Sequence, residues 1–257
     1  RKMLKRIGML MMAVRLAAAV FRGCGAGTEG MAAGVSETGF EPPEEISLSD
    51  RTLTYQYTDE IPIGREAVGT GKRNAVSRTS YFYTDEEANE YVYDTAGRVK
   101  GYLNLSLDPA YSVPALSEEA CIQAAEALAE SLGVDLSGFT QVEYVELETG
   151  ATVKYSQNPG TIYCSTASFE FVRSGLLLGF TAFYTDVDSL SEEDYNWFVE
   201  EVEDAASASA YADWPSVVEG ESCYRVEDTL CYQTTITFQD EDGNKYPEIF
   251  FVSKPIE

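Results

Sequence analysis

The chain has 257 residues, 44% of them hydrophobic, which is enough to bury a core and too apolar for a disordered protein. Its 43 Asp and Glu outweigh 18 Lys and Arg, giving a net charge of −25 at pH 7. Such a field repels phosphate backbones and anionic membrane surfaces and attracts cations or basic partners, so nucleic acid is excluded as a ligand; solubility at a crowded cell surface is the plainer meaning of the acidity.

Residues 1–24 open with Arg1, Lys2, Lys5 and Arg6, continue through a mostly apolar stretch from Ile7 to Phe21, and end in Gly23-Cys24. A basic start, an apolar middle and a small residue before the cut are the parts of a secretory signal peptide. The apolar stretch is shorter than the roughly 20 residues a membrane-spanning helix needs. The Gly-Cys ending resembles the lipobox of bacterial lipoproteins, which implies lipid attachment at Cys24. Arg22, in place of a small or uncharged residue, and Arg15, within the apolar stretch, depart from that pattern. The alternative is an amphipathic N-terminal helix, against which Met9 to Val14 run together without a polar face. Residues 25–45, with Gly25, Gly27, Gly30, Gly34, Gly39, Pro42 and Pro43, read as a flexible tether reaching roughly 25 Å. The expected location is therefore outside the cytoplasm, on the outer face of the membrane through the lipid or secreted if Cys24 is not acylated.

Residues 46–257 read as one exported α+β domain. Alternation at Leu53, Tyr55 and Tyr57, at Tyr81 and Tyr83, and at Tyr91 and Tyr93 predicts antiparallel strands. Asp94-Thr95-Ala96-Gly97 predicts a turn pairing 90–94 with 98–105. Leu116-Ser117-Glu118-Glu119 places an N-cap, first-turn acids and a staple to Cys121. Cys121, Ala124, Ala125, Leu128 and Leu132 form the apolar stripe of that helix, and Gly133 is placed to close it. Strands follow at Val142–Leu147, Thr152–Tyr155, Ile162–Val172 and Leu177–Val187. A second helix starts at Ser191, with Asp194 as its reciprocal cap, buries Tyr195, Phe198, Val199, Val202 and Ala206, and ends at Pro215. The tail 222–253 reads as three more strands with a loop at Gln239–Asn244. The predicted class is α+β, antiparallel sheets with two main helices packed on them.

The run LSEEACIQAAEALAESLGVDLSGF, followed by VEYVELETGATVKYS, FEFVRSGLLLGF and a Tyr-Thr-Asp-Val-Asp strand, resembles the helix-then-strands unit of PepSY-like domains over about residues 114–188. The resemblance implies a PepSY-like or cystatin-like helix on a sheet, found in exported proteins that include peptidase propeptides and associated lipoproteins. It implies a binding or inhibitory module and transfers no catalytic residue.

The chain contains no histidine, which removes the commonest general base and transition-metal ligand. Ser-His-Asp and Cys-His catalysis are thereby excluded, and no Ser-x-x-Lys or Gly-x-Ser-x-Gly is present. Gly69-Thr70-Gly71-Lys72-Arg73 imitates part of a phosphate loop, but Glu66 and Arg73 stand where Gly and Ser/Thr are required. Paired carboxylates remain open as an alternative, a glycan hydrolase. Asp240, Asp242 and Asn244, or Asp186 and Asp188, are weak calcium candidates that lack the spacing of a calcium loop, and no metal or other cofactor is expected. Cys223 and Cys231 are close enough in sequence to pair as a disulfide, or to pack reduced as small core hydrophobes. Arg65, Lys72, Arg73 and Arg78 form a local reversal of charge and a candidate partner contact. Seventeen tyrosines serve either sheet packing or an exposed stacking platform. The reading is a monomeric, membrane-tethered, non-enzymatic domain that binds or modulates an extracellular protein, peptide or envelope polymer; a purely structural surface lipoprotein is the further alternative.

Overall fold

The computed structural model describes residues 40–63 and 76–256. The signal segment, Cys24, most of the tether, and Arg65, Lys72 and Arg73 lie outside the described residues. The described residues divide into two compact units, one of residues 40–61 and 79–188 and one of 62–63, 76–78 and 189–256. The class is α+β: among the described residues there are two helices and twelve strands.

The first unit carries a nine-stranded sheet. Strands β1 (Glu45–Ser47), β2 (Thr52–Ile63), β3 (Val76–Thr84), β4 (Glu90–Tyr93) and β5 (Val99–Leu103) form one meander. Helix α1 (Glu118–Ser131) follows, then β6 (Gln141–Leu147), β7 (Gly150–Gln157), β8 (Ser165–Val172) and β9 (Leu177–Phe183) form a second. The meanders join where β9 pairs with β5, so the order across the sheet is β1-β2-β3-β4-β5-β9-β8-β7-β6, and the strands pair antiparallel in β1–β2 and in β3–β4–β5–β9–β8–β7–β6. The ends of β8 and β9 fall short of the predicted 162 and 187: Thr161 closes a turn on Asn158, and past β9 Thr185 bonds to Ser165 and Tyr163 through its side chain.

Register explains the tyrosine content. Tyr83, Tyr91, Tyr102, Phe180, Phe169, Val153 and Tyr144 lie opposite one another on successive strands and form a single row on one face. The first six are buried and Tyr144, near the edge, is partly so. Neighbouring rings meet tilted or edge-on, as in Tyr91–Tyr102 at 5.1 Å and Phe169–Phe180 at 4.8 Å, the geometry that aromatic quadrupoles favour. Helix α1 lays Cys121, Ala125, Leu128 and Ala129 into the same core. Ser117 Oγ caps it by accepting from the Ala120 N–H at 3.3 Å. Gly133, at φ +68°, closes it, with the Val134 N–H donating to the Ala129 carbonyl at 2.8 Å and the Gly133 N–H to Glu130 at 3.1 Å.

The second unit repeats the plan on a smaller scale: Leu190-Ser191-Glu192-Glu193 opens α2 (Glu192–Ser207), and β10 (Ser216–Val226), β11 (Thr229–Gln239) and β12 (Lys245–Pro255) form a three-stranded antiparallel meander. Ser191 Oγ caps the helix by accepting from the Asp194 N–H at 3.0 Å, and its hydroxyl donates to Asp194 Oδ2 at 2.6 Å, where the capping box would have placed the Ser191 N–H. Phe198 stacks on Tyr232 at 5.2 Å, and Val202 and Ala205 are buried beside it, Ala205 taking the place expected of Ala206. The helix stops at Ser207 rather than at Pro215. Turns over 208–214 fold Tyr211 back onto Tyr246, with ring centroids 5.1 Å apart. Strand β10 accordingly starts at Ser216, ahead of the predicted 222. Among the described residues no helix is long and apolar enough to cross a membrane.

Cys223 and Cys231 do not pair. Cys223 faces Tyr232 across the ladder and Cys231 faces Tyr224, so the two thiols point to opposite faces of the sheet, one residue out of register. Both are buried, and burial pushes each thiol up to about 12, which keeps it protonated and unreactive. Reductant is therefore expected to leave the melting temperature unchanged, and a thiol reagent to label these two cysteines only after unfolding; a reductant-dependent melting temperature would contradict the register.

Candidate functional site

A sheet with one buried face leaves the other to solvent. In β8, Ser165, Ala167, Phe169 and Phe171 are buried while the alternating Thr166, Ser168, Glu170 and Val172 are half-buried, the pattern of an antiparallel sheet solvated on one side. Register extends this second face across seven strands as two parallel rows. One runs Phe82, Val92, Gly101, Thr181, Ser168, Lys154, Glu143, and the next runs Thr84, Glu90, Leu103, Gly179, Glu170, Thr152, Val145. Tyr57, half exposed, stacks on Phe82 with centroids 4.5 Å apart and planes within 10°. The surface thus combines an aromatic pair at one end, small hydroxyls and glycines in the middle, and acids flanking the single cation of these rows, Lys154, at the other.

Glu170 is the chemically distinctive group on this face. Burial among its neighbours raises its carboxyl above the ordinary range. Because the folded chain holds that proton more tightly, the group contributes stability below the ordinary glutamate range that is lost as pH rises through its raised value. Glu170→Gln is expected to melt higher than the parent at pH 7, with the advantage vanishing in mild acid; an advantage that persists unchanged at low pH would contradict this assignment. The acid on the same row, Glu90, stands three strands away, about 14 Å at the usual strand spacing. Glycoside hydrolysis uses carboxyl groups separated by roughly 5 to 9.5 Å.

The buried acids hold the scaffold. Asp85 Oδ1 accepts from the Asn89 N–H at 2.9 Å and the Glu87 N–H at 3.0 Å, and its Oδ2 accepts from Tyr91 at 2.7 Å and Asn89 Nδ2 at 3.0 Å, with Arg51 3.5 Å away. Burial opposes its charge, but these bonds outweigh burial and hold its pKa down. Arg98 joins Asp94, Nε to Oδ2 at 2.9 Å, to Asp186, at 2.7 and 2.8 Å, and lies over the Tyr184 ring at 4.2 Å. Burial works against the guanidinium, yet the bonds to Asp186 and the fields of both carboxylates raise its pKa.

The residues proposed from sequence divide among different places. Arg78 is half-buried in β3 and the other three basic residues of its cluster are outside the described residues, so no basic patch is assembled by what is described. Asp240 spends its carboxylate within its own turn: Oδ1 accepts from Asn244 at 2.8 Å and Asp242 at 3.0 Å, and Oδ2 from the Asn244 side chain at 2.8 Å and Tyr246 at 3.2 Å. The Asn244 amide nitrogen, which repels a cation, faces it. Among the described residues no group of His, Cys, Asp or Glu has the arrangement of a metal site. The alternation within Ser165–Val172 signals a solvated face, but only register reveals which side chains share it. No protein-family model matches the chain, and neither a curated protein nor a solved structure does.

Proposed function

We propose that this chain is an exported binding or modulating domain, tethered to the membrane through Cys24 and built on a PepSY-like helix-on-sheet, that holds an extracellular protein, peptide or envelope polymer. The observation that carries the reading is the solvated face of the nine-stranded sheet, two register rows across seven strands with a stacked Tyr57–Phe82 pair at one end. A sheet face of this kind offers area and ring faces to a partner rather than a cleft in which water is excluded from a reacting bond. The missing catalytic motifs and the acidic charge support the same reading. Modulation of an extracellular peptidase is the specific role that the PepSY-like resemblance implies.

The test is in-situ photocrosslinking of the full-length protein in its native envelope, with the photoreactive side chain at Thr181 in the middle of the face, together with mass spectrometry of the mature N-terminus. The expected result is one specific partner recovered from position 181 and an acylated Cys24 as first residue. No partner above background would overturn the binding reading, and an uncut Arg1 or a free start beyond Cys24 would overturn the tether.

A further inference from the structure

We infer that β6 is a docking edge, along which a partner polypeptide adds an antiparallel strand carrying lysine or arginine at two positions three residues apart, against Glu143 and Glu146. The inference rests on the binding reading and names the partner's chemistry.

An edge strand presents a row of unpaired N–H and C=O groups, and folded proteins guard such rows with short strands, bulges, prolines or lysines. Three of the four edges among the described residues are guarded. Strand β1 is three residues long and covers only Thr52–Thr54 of β2, whose remaining outer stretch carries Asp59, Glu60 and Pro62. The ladder of β10 is broken by a register shift between Val218 and Gly220. Strand β12 carries Pro247, Pro255, Lys245 and Lys254. Strand β6, Gln-Val-Glu-Tyr-Val-Glu-Leu, ends the nine-stranded sheet, pairs with β7 in unbroken register over all seven residues, and contains no proline, glycine or lysine. It also exposes apolar side chains: Val142 is 45%, Val145 40% and Leu147 52% accessible, where the side chains of an added strand would pack beside them on both faces.

The occupant follows from charge. Glu143 shares a face with Val145 and Leu147, Glu146 shares the other with Val142, Glu148 stands in the turn beyond, and β6 bears no basic residue. A second copy of this chain would bring another surface of the same sign to the edge, in a molecule of net charge −25, and like charges across a ladder are destabilising. A basic segment meets the opposite condition. In an antiparallel added strand, the residue opposite Glu146 is basic, the next faces Val145 and is apolar, the next faces Tyr144, the fourth faces Glu143 and is basic, and the fifth faces Val142 and is apolar. The two cations emerge on opposite faces because three is odd.

The probe is a fluorescent peptide Thr-Val-Lys-Val-Thr-Lys-Val-Thr, titrated against the full chain at low salt by anisotropy, with two further versions N-methylated on alternate amides. The expected result is binding in which one methylated version loses affinity by about tenfold or more and the other does not, since only one set of amides faces the edge. The Glu143→Lys/Glu146→Lys double variant, with its melting temperature checked, is expected to weaken binding by about tenfold or more as well. Equal binding of both methylated versions, or unchanged affinity in a folded double variant, overturns the inference. A concentration-dependent dimer of the parent chain that the double variant abolishes overturns it in favour of self-pairing. If no version binds while position 181 still crosslinks a partner in the envelope, the edge proposal falls and the binding reading stands; if both fail, the binding reading falls too.

Discussion

Gly175→Ala is expected to destabilise the first unit by about 3 kcal/mol or more, a fall in melting temperature on the order of 10 °C. Gly175 sits in the β8–β9 turn at φ +85°, which an L side chain adopts at a cost. A Cβ there would lie 1.9 Å from the Val113 carbonyl oxygen, a backbone atom that has no rotamer to escape into. The same peptide group is committed to the fold, because the Gly175 carbonyl accepts from the Val113 N–H at 2.8 Å. Gly133→Ala isolates the two contributions. Its φ of +68° is comparable, but nothing lies within 4 Å of the added carbon, so a loss of only about 1 kcal/mol is expected. Equal losses from the two substitutions, read by thermal or denaturant unfolding, would show that the Val113 contact is not as placed.

Arg98→Met is expected to cost about 3 kcal/mol at pH 7. Asp94 and Asp186 have side chains only 6% and 5% exposed and share the Arg98 guanidinium. Methionine keeps much of the aliphatic volume and removes the charge that makes two buried carboxylates tolerable. With the cation gone, two buried carboxylates are left without the charge that offsets their desolvation. Adding Asp186→Asn to Arg98→Met is expected to return part of the loss at pH 7. No rescue by the second substitution, read by thermal unfolding, would mean that Arg98 acts through packing on Tyr184 alone.

Local features of this fold are legible in the sequence because local interactions make them. Leu116 and Ser117 open α1 and Gly133 closes it, each within a few residues of the helix end it sets, and the Ser191–Asp194 cap and the Asp94–Gly97 turn are equally self-contained. Long-range pairing was illegible for the opposite reason. Nothing in Val99–Leu103 announces that its neighbour is β9, far along the chain, and without that pairing the two meanders cannot be joined into one face. Asp186 reads in sequence as a loop oxygen for a cation, and its actual partner is a cation 88 residues away. The Cys223–Cys231 pairing failed by one residue of register: a turn at Glu227-Asp228 closes Val226 on Thr229, which sets Cys223 against Tyr232. Pro215 suggested a helix end, but the helix stops at Ser207 and the chain then turns to pack Tyr211 on Trp214 and Tyr246, contacts that no local pattern announces. The candidate surface itself could be glimpsed only as alternation in β8, because a row across seven strands has no signature in any one of them.

The most direct test of the account is oxidative footprinting of the full-length protein in its native envelope and after purification. Binding through the solvated sheet face and the β6 edge predicts that Tyr57, Phe82, Leu103 and Val145 are labelled several-fold less in the envelope, while Val217 and Ile249, exposed on the three-stranded sheet, are labelled alike in both. Equal labelling of the first four in the two settings would contradict it.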